Sequence, residues 1–427
     1  MNYPVWELAT FGGGVLVAVI ATLHVFVAHF AVGGGLFLVL TEMKAYREKD
    51  RRILDYVHGH TKFFLLITMV FGALSGFGIW LIISVLSPAA TSILIHTFVF
   101  GWATEWVFFV VEIASLLIYY YTFNKMDARN HVIVGWIYFI FAWLSLFVIN
   151  GIVSFMLTPG RWLETQNFWY GFFNPSFGPS LFFRTFIALS LAGIYGLITS
   201  TRIQEDGLRQ RMIRYCVLWL AAPFVLLVPS AWWYLQVIPP EARAVISDPT
   251  LTVHSAGKAF LVLTPIVFLA GLFMAVRLPK SLQQGFSFVL MILAFLYLGS
   301  FEMVRESARR PYIIHGYMYS NSILKSSLPD FQRQGVLKTA RWSKNKKVTP
   351  ANDAAAGEEV FKLLCISCHS VGGFRNDMLE RTDGMTTDQF EAILEDMGDE
   401  RRQMPPFAGN QQERQALTKY VLEKLHK

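Results

Sequence analysis

The sequence predicts an all-α protein: a polytopic bundle of about eight membrane-spanning helices, followed by a small, separate α-helical domain. Three observations carry this. Only 16% of the 427 residues are charged, while 54% are hydrophobic and 15% aromatic; a soluble domain carries about 25% charged residues. The apolar residues fill positions 11 to 304 and give way to ordinary polar, charged sequence from about Pro350. The apolar part also divides into stretches of the length, about 20 residues, that a helix needs to cross a hydrocarbon core about 30 Å thick.

Taken in order, the predicted spans cover residues 13–42, 62–86, 91–123, 132–157, 181–200, 212–236, 259–277 and 284–304. The first does not read as a cleaved signal, since only Glu7 is charged before it and it is too long for an h-region. Orientation follows from Lys and Arg in the short loops. The loop after span one carries Lys44, Arg47, Lys49, Arg51, Arg52 and Lys62. Those after spans three, five and seven carry Lys125 and Arg129; Arg202, Arg209, Arg211 and Arg214; Arg277 and Lys280. The intervening loops are poor in basic residues, apart from Arg305, Arg309 and Arg310 after span eight. Odd-numbered loops are therefore expected in the cytoplasm, with both termini on the periplasmic side of a bacterial inner membrane. The net charge of +7 lies in these loops and in a basic linker, so it does not indicate nucleic acid. Of three cysteines, Cys216 lies alone in an apolar stretch as a small buried hydrophobe, and a disulfide framework is excluded.

The other two cysteines form Cys365-Ile366-Ser367-Cys368-His369, the C-x-x-C-H pattern of covalent haem attachment. Two thiols at this spacing bond the two vinyl groups of one porphyrin, and His369 supplies the proximal nitrogen. Met404-Pro405-Pro406, further on, offers a thioether on a stiff loop for the sixth iron position. Such His/Met ligation fills both axial sites and suits electron transfer. A zinc or redox cysteine pair would leave unexplained His369, the Met404 loop and the flanking helices predicted over Gly357–Leu364, Thr387–Met397 and Gln411–Leu425. Residues 350–427 resemble a small mono-haem cytochrome c, which implies one covalent haem c on the periplasmic side. Residues 313–349 carry Arg333, Lys338, Arg341, Lys344, Lys346 and Lys347 without helical periodicity. They are expected to act as a basic linker, which raises the effective concentration of haem c at the membrane part, residues 1–312.

Ionisable residues within spans are costly and so are functional candidates. His24 and His29 fall in span one, Glu105 and Glu112 in span three with His96 at its outer end, and Arg184 near the outer end of span five. His24 is either a haem ligand or a buried histidine bonded to a carbonyl. His24 and His29 are five apart, about 140° around a helix, so they cannot face one haem. Glu105 and Glu112, seven apart, share a face; they form a proton path, an iron ligand with a proton acceptor, or a pair satisfied by packing. Gly12–Gly14 and Gly33–Gly35 suit a porphyrin face or, in preference, close helix contact.

The membrane part, from about residue 10 to 312, resembles the large subunit of cytochrome bd-type quinol oxidases. Leu23-His24-Val25-Phe26-Val27, ending in Thr41-Glu42-Met43, is similar to that family's first span. Phe71-Gly72-Ala73-Leu74-Ser75-Gly76 is similar to its second, and Val111-Glu112 with Tyr119-Tyr120-Tyr121 to its third. Met156-Leu157-Thr158-Pro159 and Asn174-Pro175 resemble the end of span four and the start of span five. Glu306-Ser307-Ala308-Arg309-Arg310-Pro311-Tyr312 resembles its Glu-x-x-Arg-Gln-Pro-Trp stretch. The resemblance implies that His24 and Glu306 are iron ligands of one or two haems of b or bd type, and that Glu112 serves the haem or its protons. It also implies a second membrane subunit, and quinone as a candidate partner.

The departures are informative. Where the family has Phe-x-His-Thr, whose histidine binds the low-spin haem b, this chain has Phe183-Arg184-Thr185. The partner methionine of span seven falls at Leu263, with Met274 a poorly placed substitute. The outer loop between spans six and seven, about 22 residues, is too short for the family's quinol loop. The family's ninth span is absent, and the cytochrome domain stands in its place. Arg184 is then expected to hold a propionate or quinone headgroup, or to snorkel to the interface. The expected function is electron transfer between periplasmic haem c and a bd-like membrane haem, with oxygen as acceptor in its sharpest form and a periplasmic cytochrome or redox protein as partner. The alternative is a non-oxidase connector that links a periplasmic redox partner to membrane quinone.

Overall fold

The computed structural model describes residues 3–373, 375–398 and 403–426. Among these, eight helices are long and apolar enough to cross a membrane: Gly13–Glu48, Arg51–Leu86, Val99–Tyr121, Ala128–Phe155, Phe177–Ser200, Asp206–Val237, Thr252–Phe273 and Lys280–Ser307, here spans one to eight. Helix bounds exceed the apolar windows because polar residues close the ends. The Asp50 side chain accepts from the Arg52 amide at the start of span two, and Asp127 from the Asn130 amide at the start of span four. Span two begins well before its apolar run because Arg51–Leu65 is amphipathic, burying Ile53, Leu54, Val57 and Phe64. Span three begins later than expected. Pro88–Thr97 is a separate short helix ending at Phe98, so His96 lies outside the span.

Span five is the hub: 78% of its apolar window is buried, against 6–39% elsewhere. Glycines bring its neighbours close. A Cβ on Gly33 would sit 1.9 Å from Ala188 O, and one on Gly193 would sit 2.6 Å from Cys216 O. Gly34 and Gly35 leave room for the rings of Phe64 and Tyr138 in the same way. The Gly33–Gly35 run is thus a helix-contact surface, as preferred above. Cys216 is fully buried against Gly196, Ser200 and Tyr56.

The C-terminal domain is built on Asp353–Leu364, Thr387–Glu395 and Gln411–Lys419, the last continuing as a π turn over Tyr420–Lys424. Capping boxes, Thr386 with Gln389 and Asn410 with Glu413, start the second and third helices. Gly357 lets the first and third cross, since a Cβ there would meet Ala416 O at 2.1 Å. The segment expected to be a linker is ordered. Strands Tyr312–Ile314 and Met318–Tyr319 pair antiparallel. The Val336 and Leu337 amides each donate to the Glu413 carboxylate at 2.8 Å, and both side chains are buried in the cytochrome domain's core.

This domain sits on one end of the bundle, against the N-terminal segment. The Val371 amide donates to Ala9 O at 2.8 Å, Lys362 pairs with Glu7 at 3.2 Å, and a Cβ on Gly373 would meet Thr10 O at 2.0 Å. Both ends of the chain therefore lie at the same end of the bundle, and the lysine- and arginine-rich loops lie at the other.

Candidate haem sites and the polar column between them

In the C-terminal domain, Cys365 and Cys368 follow the helix Asp353–Leu364 on a tight turn in which the His369 amide donates to Cys365 O at 3.0 Å. His369 Nδ1 donates to Asn376 O at 3.1 Å. That bond fixes the tautomer and turns Nε2 outward, as a metal-ligating histidine requires. Burial holds the His369 imidazole down at about 4, so it stays neutral and able to ligate. Ile366, Met378, Phe390, Leu394 and Phe407 converge beside the motif as an apolar wall, and Met404 is half-buried on its loop. The residues present fit a covalently held haem, which Cys365 and Cys368 would anchor and His369 and Met404 would ligate.

The two thiols differ. Burial pushes Cys365 up to about 12. Burial acts the same way on Cys368, but the Arg310 guanidinium, with Nη1 donating to Cys368 Sγ at 2.7 Å, outweighs it and brings the thiol below its ordinary value. Arg310 belongs to the membrane part, just past span eight. The attachment motif therefore touches the bundle itself. An ionic ladder continues inward from that contact: Glu306 pairs with Arg309, and one turn deeper Glu302 bonds Arg305 Nε at 2.8 Å and Arg184 Nη2 at 3.2 Å.

Arg184 is thus a buried partner of Glu302, and the snorkelling alternative is corrected: it is 5% exposed. Phe183, Phe301, Phe260 and Tyr297 pack on one another between spans five, seven and eight, with Phe183 and Phe301 centroids 4.5 Å apart. Met274 is no substitute ligand, because it caps the far end of span seven.

His24 is half-buried; its Nδ1 meets Ser75 Oγ at 3.2 Å, and a Cβ on Gly76 would come 3.3 Å from its Cε1. Ser75 and Gly76 lie three and four residues past a π-helical stretch, Leu66–Gly72, an irregularity frequent at functional sites. A ring fixed through Nδ1 beside a glycine face fits a membrane haem ligand. Glu306, its side chain 42% exposed beyond the Arg309 pair, retains capacity to ligate. His29 is buried and turned away, its Nδ1 donating to Val25 O at 2.7 Å, on the side of Arg184 and Glu302. Glu105 is tied to span four, where Ser145 Oγ donates to Glu105 Oε1 at 3.1 Å, and Glu112 is buried seven residues on along the same face of span three.

Sequence reasoning missed Glu302 and Arg310 as partners, and it missed a second polar cluster at the basic end. There Glu42, fully buried, bonds both His131 and Tyr119. Thr41-Glu42-Met43 carried only a family resemblance; a carboxylate within an apolar run was the available signal.

Comparison with known proteins agrees with this geometry. The model of the family described as cytochrome bd terminal oxidase subunit I matches residues 15–237, more than half of the chain. The chain belongs to that family. A second model, described as cytochrome c oxidase, cbb3-type, subunit III, matches residues 352–421, so the chain joins a bd subunit I bundle to a cytochrome c domain. The solved structure of bd oxidase from Geobacillus thermodenitrificans is similar at a TM-score of 0.63 and 15% identity, over 72% of this chain and 88% of that one, a likeness of fold. Among curated proteins, none matches significantly by sequence. The subunit I family implies membrane haem, and the cytochrome domain implies haem c.

Proposed function

We propose that this bd subunit I relative takes electrons from a periplasmic haem c, passes them to haem in its own bundle, and delivers them there to oxygen. The observation that carries this is the Arg310–Cys368 contact. It sets the haem c attachment site four residues from Glu306, the residue proposed to ligate membrane haem. Haem c would be held by Cys365, Cys368, His369 and Met404, and membrane haem by His24 and Glu306. When bound, these groups supply one-electron carriage and an iron with an open position.

Each residue's part follows from its surroundings. Arg184, paired with Glu302, stands where the resemblance puts the family's low-spin ligand, which supports moving electron input from quinol to haem c. Glu105 and Glu112, which share a face of span three, are proposed to hold protons beside the membrane haem. The cytochrome domain works docked, with Arg310 as the positioning residue, in place of swinging on a tether. The charge bias of the loops supports a basic end in the cytoplasm of a bacterium and both termini in the periplasm. Apolar side chains exposed on spans two and three, among them Phe71, Leu74, Phe77, Phe100 and Trp106, suit lipid and a second membrane subunit; a periplasmic redox protein would reduce haem c.

The test is to mix anaerobically reduced, purified protein with oxygen and follow both haem bands. Fast oxidation of the membrane band, with haem c following, is expected. Reoxidation that takes minutes would overturn the oxidase reading and favour the connector between a periplasmic partner and quinone.

A further inference from the structure

At the basic end of the bundle, spans one, three and four enclose a trio of ionisable side chains that the proposed electron route does not use. Glu42 is 0% exposed, and His131 and Tyr119 are 2% exposed. His131 Nδ1 lies 2.7 Å from Glu42 Oε1, and the Tyr119 hydroxyl donates to Glu42 Oε2 at 2.6 Å. His131 Nε2 bonds Tyr119 O at 2.8 Å, and the two rings stack with centroids 4.2 Å apart. Tyr46, 38% exposed, stands one turn from Glu42 on the same helix, near its basic end. Nearby Lys44 and Arg211 are paired with Glu48 and Asp50. Among the described residues the ion pair made by Glu42 is with His131.

A carboxylate buried with an imidazole, in place of an arginine or lysine, shares its charge with a group that can gain or lose a proton. A helix tie would not need this, since backbone bonds or an amide would serve at lower desolvation cost. The trio also lies at one end of a polar line. Tyr119, Ser115, Glu112 and Glu105 follow one another along span three at intervals of four, three and seven residues, all on one face. Tyr119 lies about 10 Å along the axis from Glu112, with buried Ser115 between them.

We propose that Glu42, His131 and Tyr119 form a proton-loading site that feeds Glu112 from the basic side, with Tyr46 as its contact with water. A proton taken up at Tyr46 settles on the Glu42–His131 pair. The Tyr119 hydroxyl then takes a proton from the pair and releases its own toward Glu112; the Ser115 hydroxyl, which at rest donates to the backbone at Val111 O and Glu112 O, must turn to relay it, and the pair is reloaded from water. The proposal rests on the reading above, in which chemistry at the membrane haem consumes protons.

The test uses the full haem-loaded protein in vesicles, with a pH dye on the basic side and oxygen added to the reduced form. The parent should take up protons from that side. Glu42→Gln and Tyr119→Phe, the second of which keeps the ring stack and removes only a hydroxyl, should each slow uptake at least tenfold. Haem spectra should be unchanged, and the solvent deuterium isotope effect should rise. Glu42→Asp should recover part of the rate. If the parent takes up no protons, the oxidase reading fails whatever the trio does. If the parent takes them up and Tyr119→Phe matches it in rate and isotope effect, the trio is a structural tie and this proposal is overturned. If Glu42→Gln does not assemble, Tyr119→Phe decides alone.

Discussion

Glu302→Gln should unfold the outer half of the bundle far more readily than any surface change. In the parent, the Glu302 carboxylate, 7% exposed, faces Arg184 at 3.2 Å and Arg305 at 2.8 Å. The amide removes the carboxylate charge that, among the described residues, buried Arg184 and largely buried Arg305 share. Breaking a buried ion pair from one side costs about 3–5 kcal/mol, or roughly two to four powers of ten at 1.36 kcal/mol per tenfold. The double change Arg184→Leu with Glu302→Leu removes both partners and leaves Arg305 to the nearby Glu306, so it should recover most of the loss. The assay is the half-life of the haem c and membrane haem spectra in detergent at a fixed elevated temperature. The expected order is parent, then the double variant close behind, then Glu302→Gln with a far shorter life. If Glu302→Gln were as durable as the parent, the ionic ladder would be no structural replacement for a haem, and the argument for moved electron input would lose its basis.

Three further outcomes follow. His24→Ala should abolish membrane haem absorbance while the haem c spectrum stays, and unchanged b bands would refute that ligand. Met404→Ala should convert haem c to a high-spin or water-ligated form, seen as loss of the thioether-to-iron band in the oxidised spectrum. Arg310→Gln should lower the haem c midpoint potential, because a cation beside Cys368 disfavours the more positive ferric state. The shift expected is on the order of a tenfold change in the reduced-to-oxidised ratio, about 59 mV for one electron; a redox titration of the intact protein reads it, and an unmoved midpoint would undock the cytochrome domain from Arg310.

Local features were readable in the sequence, and features made by distant pairs were not. Span number follows from apolar length, and the cytochrome c domain from the five residues of the C-x-x-C-H motif. Boundaries drifted where helices ran past the hydrocarbon, as at Arg51–Leu65, whose amphipathic face has no long apolar run. The order of the 313–349 segment was hidden because it hangs on a few anchors, Val336 and Leu337 on Glu413, too few to show a period. Arg184 reads from sequence as a headgroup holder or an interfacial snorkel because its partner, Glu302, is 118 residues away. The same holds for Glu42 with His131, 89 residues apart, and for Arg310 with Cys368, 58 apart. Nothing in the periodicity of one helix announces which residue of another it will meet.

The central claim is that iron porphyrin resides in both parts of the chain, close enough to share electrons. Haem quantitation by pyridine haemochrome on the intact, purified protein measures this most directly. One covalent haem c with at least one non-covalent haem per chain is the predicted result. Haem c alone would leave a membrane-anchored cytochrome and contradict the claim.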